Sequence, residues 1–266
     1  MKQSPYAAMA PFYDRMNAGL NYARWADFIE AQFSRFAKEK PSLVLDLAAG
    51  SGSMTVELAR RGYDMTAVDA SADMLSLAAG RISEAGLSGV LLLEQDMTSF
   101  ELYGTVSAVV CCLDSINHLT ARGALARCFS LVHNYLDPDG LFLFDVNTPY
   151  KFRNVYGMND FILEDGDVVC CWRNTFDEER ALCDFDLTIF TEEADGRYRR
   201  TDTVQTERCY TEKQLRHALA RAGFEVLGFY GDYDFTPAAE DDDRWYVAAR
   251  CIKPAACADE ASPGRA

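Results

Sequence analysis

The stretch that decides the fold is Val44-Leu45-Asp46-Leu47-Ala48-Ala49-Gly50-Ser51-Gly52, a short apolar run that enters a glycine-containing turn. A helical stretch from Met54 to Arg61 follows directly. Glycine lets the backbone turn sharply and lets a ligand approach the chain closely. The N-terminus of the next helix presents backbone N–H groups to such a ligand. This strand–turn–helix unit therefore predicts a small-molecule site at the carboxyl end of a strand.

The segments around this unit repeat the alternation of strand and helix. Before the first strand, residues 21–38 place apolar side chains at three- and four-residue steps, which predicts a helix. After it, strand-length apolar runs alternate with helical stretches, the strands at 65–69, 90–96, 106–113 and 141–147 and the helices at 73–83 and 121–135. Five strands that alternate with helices predict a parallel sheet with right-handed crossovers.

The pattern changes near residue 150. Extended runs separated by polar turns follow one another at 168–176, 181–190 and 197–209. These three runs predict an antiparallel β meander inserted into the sheet domain. After the meander, Thr211 begins a helix with the T-x-x-Q spacing of a capping box. Two more apolar runs, at 224–231 and 244–251, predict the last strands of the main sheet.

The sequence thus divides into four segments. Residues 41–150 and 211–253 form the α/β core, and residues 151–210 form the insertion, which we expect to cover the substrate crevice. Residues 1–40 have no strand of their own and are rich in aromatic side chains, so we expect a helical lid that closes over the site. Residues 254–266 are small, polar and proline-containing, which predicts a disordered tail.

Composition and charge exclude several classes of protein. The 266 residues include 26 Lys and Arg against 41 Asp and Glu, a net charge of −15, which argues against general affinity for nucleic acid or anionic lipid. No apolar run approaches the roughly 20 residues that a bilayer crossing needs, so we expect no membrane span. The nine cysteines are odd in number and lack a C-x-x-C spacing. We therefore expect buried thiols in a reducing cytoplasm, and neither a disulfide framework nor a metal site.

Acidic residues stand at or near the carboxyl ends of three successive strands. Asp46 lies within the first strand, Asp69 ends the second and Asp96 ends the third. The carboxyl ends of parallel strands form the edge at which open α/β sheets bind ligands. Asp69 can accept hydrogen bonds from both hydroxyls of a ribose. Asp96 can accept from an adenine amino group while the amide of Met97 donates to a ring nitrogen, so these residues predict a nucleoside cofactor.

Two kinds of nucleoside cofactor suit a glycine turn of this type. A dinucleotide site uses G-x-G-x-x-G, but Thr55 occupies the position of the third glycine, and Asp46 would repel a pyrophosphate. In a site for S-adenosylmethionine (SAM), the turn faces an amino-acid group, and Asp46 suits its ammonium. The acidic strand ends therefore favour the cationic cofactor SAM.

These motifs together resemble those of class I SAM-dependent methyltransferases. VLDLAAGSG (44–52) resembles the first motif of that family, AVDAS (67–71) the second and EQDM (94–97) the third. One departure is Ala48, at a position where the first motif usually has glycine. The resemblance covers residues 12–150 and 211–251. It implies a Rossmann-like seven-stranded sheet that is mostly parallel and has an antiparallel last strand.

Three further stretches are similar to a small-molecule branch of the family, which includes sugar-amine N-methyltransferases. They are FYDRM (12–16), YARWADFI (22–29) and CCLDSINHL (111–119). The resemblance also implies a set of cofactor-binding residues at the sheet edge and in the N-terminal segment. This set comprises Asp46, Ala48, Gly50, Gly52, Asp69, Ala70, Asp96, Met97, Leu113 and Tyr22.

A polar cluster directly after the fourth strand supplies the candidates for catalysis. Asp114, Ser115, Asn117 and His118 follow a nearly all-apolar strand, at the crest that lines the ligand crevice of an open α/β sheet. A neutral imidazole there can take a proton near neutral pH. We therefore expect His118, together with Tyr13 of the FYDRM stretch, to orient or deprotonate the acceptor.

The predicted function is transfer of a methyl group from SAM to a nucleophilic nitrogen or oxygen atom of a small-molecule acceptor, with S-adenosylhomocysteine as the product. Arg197, Arg199 and Arg200 form a local basic patch on the insertion, which leaves a methyltransferase of tRNA or protein as an alternative. A non-catalytic SAM-binding protein is a second alternative, because the binding motifs position the cofactor and do not perform the chemistry.

Overall fold

The computed structural model describes residues 12–15, 17 and 19–253. Residues 1–11, 16 and 18 of the expected lid lie outside these described residues. The expected tail, 254–266, lies outside them as well. Within them, one seven-stranded sheet and a separate four-stranded sheet form the β structure. No helix of the described ranges combines the length and apolar character needed to span a bilayer.

The strands and helices follow one another as the alternating pattern predicts. The helices are α1 (Tyr22–Phe36), α2 (Ser53–Arg60), α3 (Ala72–Glu84), α4 (Ala124–Tyr135) and α5 (Glu212–Ala222). The strands are β1 (Leu43–Leu47), β2 (Asp64–Asp69), β3 (Leu91–Glu94), β4 (Val106–Cys111), β5 (Leu136–Asn147), β6 (Phe161–Asp165), β7 (Val168–Asp177), β8 (Leu182–Glu192), β9 (Tyr198–Arg208), β10 (Phe224–Tyr230) and β11 (Arg244–Cys251).

The seven-stranded sheet has the order β10-β11-β5-β4-β1-β2-β3. Neighbouring strands pair in parallel, except that β11 pairs antiparallel with both β10 and β5. The predicted Rossmann-like sheet with an antiparallel last strand is therefore confirmed. In this arrangement the carboxyl ends of β1, β2, β3 and β4 lie along one edge, where they bring their following loops together.

Both faces of this sheet are covered by helices, which explains why its strands are apolar runs. Successive residues of β1 point to opposite faces. Leu45 and Leu47 pack in a cluster with side chains of α4 and α5, whereas Val44 packs in a cluster with α1 and α2. All three leucine and valine side chains are fully buried. A strand covered on both sides has no solvent-facing positions to fill with polar residues.

The four-stranded sheet is antiparallel and has the order β6-β7-β8-β9. The prediction of a three-stranded meander is wrong by one strand, because β6 pairs with β7 from Phe161↔Trp172 to Asp165↔Val168. This edge strand has only five residues, and its apolar run is limited to Phe161–Leu163, of which Ile162 is 74% exposed, so the run is too short to predict a strand by itself.

Two predicted boundaries move by three residues or more, each beside a residue with positive φ. The helix expected from residue 121 begins at Ala124, because Gly123 before it has a φ of 78° and cannot continue a right-handed helix. The strand expected from residue 141 begins at Leu136. The residues of the predicted turn, 137–140, lie within that strand, where its pairing register with β4 shifts and Asp139 has a φ of 64°.

Candidate active site

A cavity of about 320 Å³ opens at the carboxyl ends of β1 to β4. Its wall is formed by the glycine turn after β1, the ends of β2 and β3, and the segment from 113 to 127. Most of the predicted site residues line it, namely Tyr13, Ala48, Gly50, Asp69, Ala70, Asp96, Met97, Leu113 and His118. The structure therefore brings together residues that are far apart in the sequence around one space.

The remaining predicted residues lie beside this cavity. Asp46 and Tyr22 line a small adjoining recess, which shares Tyr13, Ala48 and Leu113 with the main cavity. Gly52 instead lies against α3, where a Cβ atom would come within 2.8 Å of the Cβ of Ala78. Gly52 thus permits close helix packing rather than contact with the cavity.

The glycine turn has a left-handed backbone at alternate positions. The φ angles are 59° at Ala48, 56° at Gly50 and 76° at Gly52. An L-residue in this region places its Cβ too close to the following carbonyl oxygen, so Ala48 is strained where glycine would not be. A Cβ at Gly50 would meet only the ring of Tyr13, at 3.9 Å. This backbone is therefore open to a ligand on the cavity side.

Asp69 holds the glycine turn in place as well as lining the cavity. One carboxylate oxygen accepts a hydrogen bond from the amide of Gly50 at 2.8 Å, and the other accepts one from the amide of Ser71 at 2.8 Å. Burial raises the pKa of Asp69, and these backbone bonds oppose the rise. Each oxygen keeps a lone pair for a ribose hydroxyl.

Asp96 does not end β3 as predicted, because the strand stops at Glu94, and Asp96 is instead held by a local turn. Its Oδ1 atom accepts from both the amide and the hydroxyl of Thr98, at 2.7 and 2.6 Å. The turn fixes the carboxylate at the cavity wall next to Met97. An Asx turn and a binding role are therefore compatible at this residue.

Asp46 has a partner that the sequence did not reveal. The carboxylate is 1% exposed and accepts a hydrogen bond from the hydroxyl of Thr55 at 2.5 Å. Burial raises the pKa of Asp46 to about 6, and the hydrogen bond from Thr55 opposes the rise. In the sequence, Thr55 is only a departure from the dinucleotide motif. In the structure, its hydroxyl holds the carboxylate of Asp46 beneath the turn.

The helical turn Phe12–Arg15 carries Tyr13 to the cavity. Asp14 accepts a hydrogen bond from the hydroxyl of Ser51 in the glycine turn at 2.7 Å and forms an ion pair with Arg81 of α3. Burial raises the pKa of Tyr13, so its hydroxyl stays protonated near neutral pH. Arg15 links the same helical turn to the inserted sheet, since it forms ion pairs with Asp165 and Asp167 at 2.7 and 2.8 Å.

The crest after β4 forms a short 3₁₀ helix, Ser115–His118. Asn117 within it is fully buried. Its side chain accepts from the amide of Asn147 at 3.0 Å and donates to the carbonyl of Arg208 at 2.8 Å. The crest is therefore docked on β5 of the main sheet and on β9 of the inserted sheet, which fixes the position of His118.

The charge of Asp114 is strongly stabilised beside His118. Arg244 of β11 pairs with Asp114 at 2.7 Å and also with Asp145. Burial alone would raise the pKa of Asp114, but the charges of Arg244 and Lys151 outweigh it and lower the pKa to about 2. Burial lowers the pKa of His118, and the negative charge of Asp114 opposes that shift. The imidazole is therefore neutral near pH 7 and adjoins a carboxylate.

Glu207 of β9 is an acidic residue that the sequence analysis missed. Its side chain is buried, and its Oε1 lies 3.8 Å from the Nε2 of His118. The side-chain amide of Asn147 donates to its Oε2 at 2.9 Å. Residues 205 and 207 are the buried positions of β9, and a buried acid needs a partner, but the sequence alone does not show which positions of this strand are buried.

Comparisons with known proteins agree with this geometry. Residues 44–140 match a family model described as a methyltransferase domain. YqeM of Bacillus subtilis (strain 168), provisionally named a methyltransferase, is 28% identical over 251 residues, which cover 93% of this chain and 98% of that protein. The dTDP-3-amino-3,6-dideoxy-alpha-D-glucopyranose N,N-dimethyltransferase of Streptomyces fradiae is 32% identical over 142 residues, covering 52% of this chain and 53% of the relative.

A solved structure matches nearly the whole chain. The crystal structure of a SAM-dependent methyltransferase from Clostridium acetobutylicum ATCC 824 superposes with a TM-score of 0.83 and 29% identity, covering 94% of this chain and 100% of that chain. Fold, motif positions and matches agree with one another. The chain has a methyltransferase domain at residues 44–140 and the fold of the class I SAM-dependent methyltransferases, and SAM is its cofactor.

Proposed function

We propose that the protein transfers a methyl group from SAM to a nucleophilic nitrogen or oxygen atom of a small-molecule acceptor. The observation that carries the proposal is the cavity itself. One part of its wall holds Gly50, Asp69 and Asp96, and another part holds His118, with Tyr13 beside the glycine turn. A cofactor held by the acids and an acceptor near the imidazole would then share one space.

The residues at the sheet edge fit the parts of SAM. Asp46, buried beneath the turn, suits the ammonium group, Asp69 the ribose hydroxyls and Asp96 the adenine amino group, with Gly50 open toward the ligand. Bound SAM supplies an electrophilic methyl group on a sulfonium sulfur. In-line displacement depends largely on positioning, which these residues of the rigid sheet edge provide.

His118 and Tyr13 have different roles in handling the acceptor's proton. The neutral His118 can accept the proton that an amine or hydroxyl loses as it gains the methyl group, and Asp114 stabilises the resulting imidazolium. Tyr13 stays protonated because burial raises its pKa, so it acts as a hydrogen-bond donor that orients the acceptor.

Local charge supports a small acceptor over RNA. The basic patch of the insertion is neutralised within its own hairpin, where Arg197, Arg199 and Arg200 pair with Asp195, Glu193 and Asp202 respectively. Arginines that are already paired have little charge left for phosphates. The sugar N-methylating relative from Streptomyces fradiae makes amines the first acceptors to test.

We also propose a cytoplasmic location and a covering role for two segments. The cysteines at the described positions are all free thiols, which suits a reducing compartment. The N-terminal segment would act as the lid, since Asp14 and Arg15 tie Phe12–Arg15 to the glycine turn and to the inserted sheet. Residues 151–210 would cover the acceptor, since β9 brings Glu207 next to His118.

Two measurements test this function. Calorimetry with SAM and S-adenosylhomocysteine should show binding of both, whereas NAD should not bind. Transfer of a radiolabelled methyl group should then be measured over a panel of amine, hydroxyl and carboxylate metabolites, with tRNA as a separate arm. Labelling of an amine or a hydroxyl compound supports the proposal. Labelling of tRNA alone contradicts it, and so does binding without transfer to any acceptor.

A further inference from the structure

Two side chains of one sequence motif meet a third from a distant strand at the cavity wall. Asp114 and His118 come from the crest after β4, and Glu207 comes from β9 of the inserted sheet. One carboxylate oxygen of each acid and one ring nitrogen of His118 lie within 4.8 Å of one another. Asp114 and Glu207 share a hydrogen bond. Of the three, His118 lines the cavity, so the two acids stand behind the imidazole that faces the acceptor.

We propose that Glu207 is a positioning residue for His118, whose carboxyl group binds Asp114 and holds the charge of Asp114 beside the imidazole. The inserted sheet thereby completes the proton-accepting part of the site. The consequence for turnover rests on the proposed methyl transfer, whereas the contact itself does not. Glu207 does not line the cavity, so it acts through the two crest residues.

The surroundings of the pair explain which acid holds the proton. Asp114 faces the guanidinium of Arg244 and the ammonium of Lys151, so it remains ionised. Glu207 is buried, and burial together with the charge of Asp114 raises its pKa well above the ordinary range. The protonated carboxyl donates to Asp114 and accepts from Asn147. The titratable and charged groups that face Glu207 are Asp114, His118, Lys151, Tyr156 and Cys183.

A divalent cation is the competing occupant of these three side chains. Two carboxylates and an imidazole are suitable ligands. However, Arg244 already pairs with Asp114, and Asn147 already donates to Glu207. These contacts and the nearby charge of Lys151 balance the acids, so the arrangement favours a shared proton over a cation.

The first test needs no acceptor. Because the pKa of Glu207 is raised in the folded protein, the folded state keeps a proton that the unfolded state releases. The folding equilibrium constant should therefore fall about tenfold per pH unit between the unfolded and folded pKa values of Glu207. Glu207→Gln mimics the protonated acid and should remove this part of the pH dependence, whereas Glu164→Gln on the exposed face of β6 should leave it unchanged. Identical pH profiles for Glu207→Gln and the parent overturn the proposal.

The second test follows His118 directly. NMR titration should give the same His118 pKa in the parent and in Glu207→Gln, since the amide can still donate to Asp114 and accept from Asn147. In Glu207→Ala the imidazole signal should shift, because the charge of Asp114 is no longer held. A His118→Asn sample assigns the resonance. An unshifted His118 pKa in folded Glu207→Ala overturns the proposal.

With an acceptor identified, kinetics give the third test. Glu207→Ala should lower kcat by roughly tenfold or more with little change in the KM for SAM, and Glu207→Gln should restore most of the rate. Parent-like turnover of Glu207→Ala contradicts the proposal, and so does loss of the parent's activity on chelation with recovery on adding Mg²⁺ or Mn²⁺. If the parent transfers no methyl group at all, the proposed function fails, while the first two tests still decide the role of Glu207.

Discussion

In the seven-stranded sheet, β1 buries every residue after Leu43, whereas β9 of the inserted sheet buries residues only alternately, and only in its second half. The central strand is covered on both faces, so it forms a continuous apolar run that is easy to identify. The strand of the inserted sheet is half solvated, and its buried positions include the polar Gln205 and Glu207. The first pattern predicts the fold, whereas the second does not show that Glu207 contacts His118.

The two sheets also contribute to the site in different ways. The main sheet supplies Gly50 and Asp69 from one continuous strand–helix–strand unit, in which the acid binds the amide of the turn. The inserted sheet supplies Glu207 to a crest residue far away in the sequence, His118. The proposed cofactor side is therefore built from neighbours along the chain, and the proposed acceptor side depends on how the two sheets dock.

The largest expected effect lies on the acceptor side. His118→Ala should lower kcat by roughly 10²–10⁴-fold, because it removes the proton acceptor, while SAM affinity stays nearly unchanged. His217→Ala, on the exposed face of α5, is the matched control and should turn over like the parent. Turnover should be normalised to folded protein from the same preparation. A parent-like rate in His118→Ala would assign proton removal to solvent.

The next effect tests the packing of the main sheet. Gly52→Ala should destabilise the protein by about 3 kcal/mol, since it adds a Cβ at positive φ and within 2.8 Å of Ala78. Gly50→Ala has a positive φ but no such clash, so it should cost only about 1 kcal/mol. Urea unfolding of both variants measures the difference. Equal losses would show that α3 moves away from the turn.

A smaller effect is expected for the ribose contact on the cofactor side. Asp69→Ala should weaken SAM binding by roughly 1.5–3 kcal/mol, since charge-assisted hydrogen bonds are lost. Asp73→Ala removes an exposed acid at the start of α3 and serves as the control. Calorimetry with S-adenosylhomocysteine measures both affinities. Unaltered binding by Asp69→Ala would contradict the assignment of the second motif.

The smallest effect is a gain in stability. Ala48→Gly should stabilise the protein by about 1 kcal/mol, because Ala48 has a φ of 59°, a conformation that glycine adopts without strain. An upward shift of the urea midpoint with an unchanged slope would show it. Ala70→Gly, at the neighbouring strand end, should not stabilise. A lower midpoint for Ala48→Gly would mean that the methyl group packs usefully against its surroundings.

The sequence by itself determined the main sheet and the cofactor side of the cavity. Periodicity predicted its strands. The turn after β1, the acid at the end of β2 and the acid two residues after β3 were predicted from their places near strand ends. The physical reason is that strand, turn and helix are local structures. Gly50 and Asp69 therefore reach the same edge of the sheet once the fold is correct. The notable failure was β6, an edge strand of five residues whose three-residue apolar run is too short to predict it.

Only the tertiary structure decided the contacts between distant segments. Thr55 binds Asp46 because α2 packs against β1, and Glu207 meets Asp114 because the inserted sheet docks on the crest. Neither contact has a sequence spacing that predicts it, since each depends on how separate elements pack. The pKa values of these acids were equally inaccessible from the sequence, because burial and neighbouring charges that set them exist only after folding.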